Sequence, residues 1–293
     1  MSSQKSISLV LGSGGARGLA HIGVIHWLEE HGYEIVSIAG CSMGALVGGV
    51  YAAGKLDEFE RWVRAIDKFD LLALLDLAWE SSGLIKGDKI INTLIALVGD
   101  QQIESLPIRF TAVAADIERE KEVWMSKGGL FDAIRASISL PLFFTPVQRD
   151  GVTLIDGGVL NPVPIAPTFH DHTDLTIAVN LGGKPQASYE KSSSYHKETH
   201  QDKDITDKIK HFIHTIKHKT SHITKFDLDA YEIANQAFDA MQSTIAREKL
   251  AAYPPDLAIE IPRNACGTLE FDRAAEMIEL GYKYSKETLH RLQ

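Results

Sequence analysis

Residues 34–53 constrain this chain more than any others, because they can fold only if a strand turns into a helix within a few residues. The β-branched run Glu34-Ile35-Val36-Ser37-Ile38-Ala39 meets small, helix-compatible residues at 45–53 across Gly40-Cys41-Ser42-Met43-Gly44. A turn that sharp leaves no room for a Cβ between strand and helix, so Gly40 and Gly44 flank the serine for a steric reason. The turn lifts the Ser42 hydroxyl off the backbone and leaves it at a helix N-terminus, where partial positive charge favours a developing oxyanion. A lone G-x-S-x-G arises by chance in roughly one chain in ten of this length. The reading of Ser42 as a nucleophile therefore depends on partners.

The first partner precedes it. Ser6-Ile7-Ser8-Leu9-Val10-Leu11 reads as a strand and is followed by Gly12-Ser13-Gly14-Gly15-Ala16-Arg17-Gly18. A helical pattern then carries Leu19, Ile22, Ile25 and Leu28 and stops at Gly32. Strand, glycine loop and helix present backbone N–H groups to an anion, which here is a dinucleotide, a nucleotide phosphate or an acyl-transfer oxyanion. Arg17-Gly18-Leu19 lacks the G-K-[ST] ending of a phosphate loop. In either register of the dinucleotide fingerprint one glycine is replaced, by Ser13 or by Arg17, and the second strand ends in Ala39-Gly40 without a ribose-binding carboxylate. An oxyanion-hole loop fits best, with the Gly14 and Gly15 N–H groups as donors.

The second partner follows. Residues 152–155 read as a strand that delivers Asp156 into Gly157-Gly158, and Pro162 and Pro164 disfavour regular structure beyond. A D-G-G alone is usually a turn. Beside a serine elbow, Asp156 becomes the carboxylate best placed to act as a base.

The glycine loop 12–18, the elbow 40–44 and the Asp156-Gly157-Gly158 motif, in that order, resemble the patatin-like phospholipases. The likeness is to small bacterial members related to the catalytic domain of neuropathy target esterase, and it covers residues 6–181. It implies a three-layer α/β/α fold with a mainly parallel central sheet, read here as one domain over 1–293. It also implies acyl-ester hydrolysis by a serine–aspartate dyad without histidine, cofactor or metal. By matching position Ser42 is the nucleophile, Asp156 the base, and Gly14 and Gly15 the oxyanion hole. Gly12, Arg17, Gly18, Gly40, Gly44, Gly157 and Gly158 support these motifs. The one departure is Ser13, where many relatives have glycine, a residue that tolerates positive φ better.

The dyad makes chemical sense. An aspartate with an ordinary pKa near 3.9 is a poor base for a hydroxyl, so Asp156 is expected to be desolvated. The competing design is a Ser–acid–His triad. His170, His172 and His290 follow Asp156 in sequence, but none sits at a strand end or beside glycine. His21 and His26 lie on the first helix, where a packed or helix-face role is expected.

The rest of the chain is read as scaffold, substrate wall and appended elements. Helices are expected at 56–69 and 84–98, whose stripes (Phe59, Trp62, Val63 and Ile66; Ile90, Ile91, Leu94, Ile95 and Val98) serve the core or wall an acyl groove. Strands are expected at 108–115 and 122–125, and a helix at 133–140 ended by Pro141, with Arg135-Ala136-Ser137 near the active site. Residues 184–225 hold six of the 12 histidines, at 196, 200, 211, 214, 218 and 222. They read as a mobile loop (185–204) and an amphipathic helix (205–216), a lid, a membrane contact or a passive loop. A long helix near 227–250, a strand at 257–261 and a helix from 271 complete the fold.

Composition narrows the function. The formal charge of −9 argues against nucleic acid and against strong electrostatic docking to anionic lipid. The first residues read straight into a strand, so no signal peptide is expected, and the apolar run 71–75 is broken by Asp76. With two cysteines, Cys41 and Cys266, no disulfide framework is expected, and a cytoplasmic setting follows. The expected partner is a lipid or other acyl ester, met directly or in transient contact with a membrane surface. The alternatives are a general carboxylesterase or acyl-thioesterase of the same fold, or an adaptor that keeps the fold and binds a partner.

Overall fold

A computed structural model describes residues 5–66, 86–141, 143–189 and 225–290. Its strands are β1 (Lys5–Leu11), β2 (Tyr33–Cys41), β3 (Arg109–Asp116), β4 (Lys121–Met125), β5 (Val147–Arg149), β6 (Val152–Asp156), β7 (Leu175–Gly183) and β8 (Leu257–Pro262). The helices are α1 (Ala20–Glu30), α2 (Met43–Ala52), α3 (Leu56–Ala65), α4 (Asp88–Val98), α5 (Leu130–Ser137), α6 (Lys225–Ala252) and α7 (Ala274–Leu289). The strands form one sheet in the order β5-β6-β3-β2-β1-β7-β8, with β4 paired to β3. The run β3-β2-β1-β7-β8 is parallel throughout, and β4, β5 and β6 add antiparallel pairs at one side. The architecture is mixed α/β, with a mostly parallel central sheet between helical layers.

Pleating sorts the side chains. In β1, Ile7, Leu9 and Leu11 join the large core shared with α1, α2, α5 and α7, while Val10 faces Ala246 of α6 and Val163 and Ile165 on the other side. A strand covered on both faces needs apolar residues in succession, and β1 is buried without a break from Ile7 to Leu11. The chain moves from β1 to β2 and β3 in one direction, then returns to place β7 on the other side of β1. Ligand sites of open α/β sheets form where the order reverses, beyond the C-terminal strand ends. The glycine loop leaves β1 at that point. On the large-core face α1 and α7 lie in direct backbone contact: a Cβ on Gly23 would stand 1.8 Å from the Ile278 carbonyl oxygen, and one on Gly281 would stand 1.9 Å from that of Ala20.

Several expectations shift. The helix expected over 133–140 spans Leu130–Ser137, three residues earlier at each end. It stops before Pro141 because the chain must turn for the Ser139 carbonyl to accept the Asp156 N–H, at 2.9 Å. The helix expected from 84 begins at Asp88, after Gly87 in a left-handed conformation. Strands β5 and β7 were not anticipated. Residues 187–189 form a helical turn within the loop expected over 185–204. The remainder of that loop, the amphipathic helix 205–216, the six histidines between 196 and 222 and the run 71–75 lie outside the described residues.

Candidate active site

β2 carries the chain to Cys41, and the next residue adopts φ 53° and ψ −122°. Ser42 is one of three non-glycine residues with positive φ among the described residues, and it is buried. Such a conformation costs on the order of 1–3 kcal/mol and survives only where the surroundings impose it. The surroundings are tight. A Cβ on Gly44 would stand 2.0 Å from the Leu11 carbonyl oxygen, and one on Gly40 would stand 2.5 Å from that of Gly44. The start of α2 is thus pressed onto the ends of β1 and β2, and glycine is obligatory at both positions.

Asp156 closes β6, opposite Ala114 of β3. It is fully buried, and its Oδ2 accepts a 2.5 Å hydrogen bond from Ser42 Oγ. Its Oδ1 accepts from the Gly158 N–H at 2.7 Å, with the Cys41 thiol at 3.9 Å. Burial pushes the Asp156 pKa up from 3.8 to about 6, against the pull of these three donors. Gly157 lies against the Val113 carbonyl, and Gly158 lies against the Gln242 side chain. The structure thus brings together two residues that the sequence separates by 114 positions.

The glycine loop packs beside them. The Gly12 and Ser13 N–H groups donate to Val179 O and Pro162 O, at 3.1 and 2.8 Å, and the Ala16 N–H donates to Thr268 O at 2.9 Å. Between these anchors the N–H groups of Gly14 and Gly15 donate to no protein acceptor among the described residues. Gly15, at φ +57°, lines the same cavity as Ser42. Ser13 is not among the positive-φ residues, so its replacement of glycine brings no backbone strain, and its Oγ accepts from Gln242 Nε2 at 3.2 Å. Gly18 lets the loop close onto Met43. The Arg17 guanidinium donates to the carbonyls of Arg263 and Cys266 and to Asp239, each at 3.1 Å, so it ties the loop to α6 and to the segment after β8. Beneath the loop, buried His21 bonds the Gly12 carbonyl through Nε2 at 2.8 Å; burial lowers its pKa to about 4, so it is neutral near pH 7.

The three histidines of the alternative triad lie elsewhere: His170, His172 and His290 are exposed. His26 pairs with Glu60 on the surface of α1. Cys41 and Cys266 are free and buried. Among the described residues no three His, Cys, Asp or Glu side chains group to hold a metal ion.

Ser42 opens into an apolar cavity. Phe59, Trp62, Val63 and Ile66 wall it from α3 and the residue beyond, and Ile90 and Leu94 wall it from α4. The expected stripes thus divide, since Ile91 and Val98 pack in the core instead. Leu19, Met43 and Leu46 line it beside Ser42, and further wall comes from Ile138, Leu140, Phe143 and Phe144 after α5 and from Thr268, Leu269 and Phe271 before α7. Sequence reasoning missed these last residues, together with Gln242 and the backbone role of Ser139. No local pattern marks them, because each acts across a long sequence separation.

Residues 9–169 match the family described as patatin-like phospholipase. The chain belongs to the patatin-like phospholipase family. An uncharacterized NTE family protein of Mycobacterium tuberculosis is 38% identical over 336 residues, covering 100% of this chain and 93% of that protein. Lysophospholipase nte1 of Emericella nidulans is 28% identical over 302 residues, covering 99% of this chain and 18% of the fungal protein. The solved structure of VipD from Legionella pneumophila matches with a TM-score of 0.50 at 13% identity, covering 98% of this chain and 67% of VipD. That likeness concerns the patatin fold alone. Family membership and lysophospholipase relatives support lipid acyl hydrolysis. The family match ends before α6 and the 263–271 segment, which brace the glycine loop from outside it.

Proposed function

We propose that this patatin-like phospholipase family member hydrolyses single-chain lipid acyl esters of the lysophospholipid type, through an acyl-serine intermediate on Ser42. One observation carries the reading. A buried serine in a strained conformation donates a 2.5 Å hydrogen bond to a buried carboxylate, and it does so in the wall of an apolar cavity. The cavity suits an acyl chain, and the fungal relatives named lysophospholipases suit a substrate with one such chain.

In this mechanism the Ser42 hydroxyl attacks the ester carbonyl while its proton passes to Asp156 Oδ2. The Gly14 and Gly15 N–H groups, with the dipole of α2, stabilise the oxyanion. Collapse of the tetrahedral intermediate expels the alcohol, which takes the proton from Asp156. Water, deprotonated by the same carboxylate, then attacks the acyl-serine, and Ser42 recovers a proton as the fatty acid leaves.

The test is labelling with a fluorophosphonate followed by peptide mass spectrometry. The probe should modify Ser42, and Ser42→Ala should lose both labelling and ester hydrolysis. Modification of another serine, or hydrolysis that survives in the alanine variant, would overturn the assignment.

A further inference from the structure

Two serines stand at the C-terminal end of α5, Ser137 as its last residue and Ser139 two residues beyond, and their hydroxyls behave differently. Ser139 bonds locally: its Oγ donates to the Arg135 carbonyl four residues back at 2.8 Å, the habit of serine in a helix. Ser137 does not. Its Oγ donates to the Val113 carbonyl of β3 at 2.6 Å and accepts the Ser42 N–H at 2.9 Å. A hydroxyl carries one proton. Spending it on Val113 leaves only lone pairs facing Ser42, so the direction of both bonds is set. The bridge is fully buried, and no solvent can replace it. The same helix end also takes the backbone N–H of Asp156, on the Ser139 carbonyl.

We propose that Ser137 is a positioning residue, whose hydroxyl pins the backbone of Ser42 in its strained conformation and so aims Oγ at Asp156. The proposal rests on Ser42 as the nucleophile. A backbone at φ 53° persists only when its neighbours over-determine it, and the Ser137 hydroxyl holds the Ser42 N–H from outside the elbow. Without the hydroxyl, Ser42 N–H and Val113 C=O are both left unpaired in the interior, and the elbow can relax towards an ordinary conformation. A displacement of about 1 Å at a reacting group can cost about 10²-fold in rate.

The experiment compares Ser137→Ala and Ser137→Cys with a control, Ser8→Ala. Ser8 is also fully buried, and its hydroxyl bonds Asp171 and Thr173, away from the glycine loop and the elbow. Each variant is scored for Tm, for the rate of fluorophosphonate labelling at Ser42, and for kcat and KM on one soluble ester. Ser137→Ala should slow labelling by about 10²-fold and lower kcat while KM moves less than about threefold, whereas Ser8→Ala should lose stability yet label at about the wild-type rate. Ser137→Cys keeps nearly the same shape but offers a weak acceptor, so it should fold normally and label about tenfold slowly. It decides the matter should the alanine variant fail to fold. Folded Ser137 variants that label as fast as Ser8→Ala would overturn the positioning role and leave the dyad standing. A wild-type protein labelled elsewhere than Ser42 would overturn both.

Discussion

At Asp156, burial and hydrogen bonding pull in opposite directions, and burial wins. Its pKa near 6 means that the folded protein holds this proton more tightly than the unfolded chain, whose aspartate titrates near 3.8. The contribution of Asp156 to stability should therefore fall as pH rises from about 3.8 to about 6 and stay reduced above, by an amount on the order of 3 kcal/mol. The charge that destabilises the fold is the one that the proposed mechanism uses as its base. Two outcomes follow for Asp156→Asn. Turnover should drop by roughly two to four orders of magnitude, and Tm at pH 8 should exceed that of the wild type, with the gap closing near pH 4. Paired activity and thermal-melt measurements check both signs together. In the wild type, kcat/KM for a soluble ester should rise with pH through an inflection near 6 and then level, because only the ionised carboxylate accepts the serine proton. Single substitution of exposed His170, His172 or His290 should leave that profile in place. A profile altered by any one of them would revive the histidine triad.

The elements are placed by a few backbone contacts that tolerate no side chain. Where α1 crosses α7, Gly23 meets the Ile278 carbonyl and Gly281 meets that of Ala20. Gly23→Ala must therefore push the two helices apart, and overpacking of this kind typically costs about 1–3 kcal/mol. Tm should fall by roughly 2–5 °C, while the surviving folded protein should still label at Ser42, since this contact lies outside the elbow and glycine loop. Differential scanning calorimetry with labelling at low temperature separates the two effects. Element type was legible in the chain wherever periodicity ran long: β1, β2, β3 and α2 fall where their patterns put them, while α3, expected over 56–69, ends at Ala65 with Ile66 already extended. The register of α5 was not, because its end is set by Asp156 and Ser42 rather than by Pro141. Strand β7, paired with β1 and β8, was not legible from its own residues.

At the scale of the molecule, the apolar cavity joins parts that are distant in sequence. α3 and α4 form one wall, the residues after α5 a second, and the loop before α7 a third. No helix among the described residues is long and apolar enough to cross a membrane. On the proposed function, the cavity beside Ser42 should set acyl-chain selectivity. Val63 is buried against it from α3, so Val63→Phe should shorten the space available to an acyl chain. At about 0.8 kcal/mol per buried methylene, loss of room for two of them should lower kcat/KM for long-chain esters by roughly tenfold while sparing acetate esters. A chain-length series with one chromogenic leaving group reads this directly.

Local sequence alone determined the strand–serine–helix elbow, the glycine loop and the Asp-Gly-Gly turn. Each depends on short-range sterics, on where a Cβ fits and where a backbone N–H is left free, and those constraints are written in adjacent residues. What only the tertiary structure decided is how the pieces meet: Asp156 at 2.5 Å from Ser42, Arg17 turned back to Asp239 and the 263–266 segment, Ser137 bridging Val113 to the elbow, and an apolar cavity assembled from six separate segments. Distances between residues a hundred positions apart are set by sheet order and helix packing. The pKa of Asp156 is likewise a property of its burial, since an aspartate titrates in the ordinary range until the fold takes water away from it.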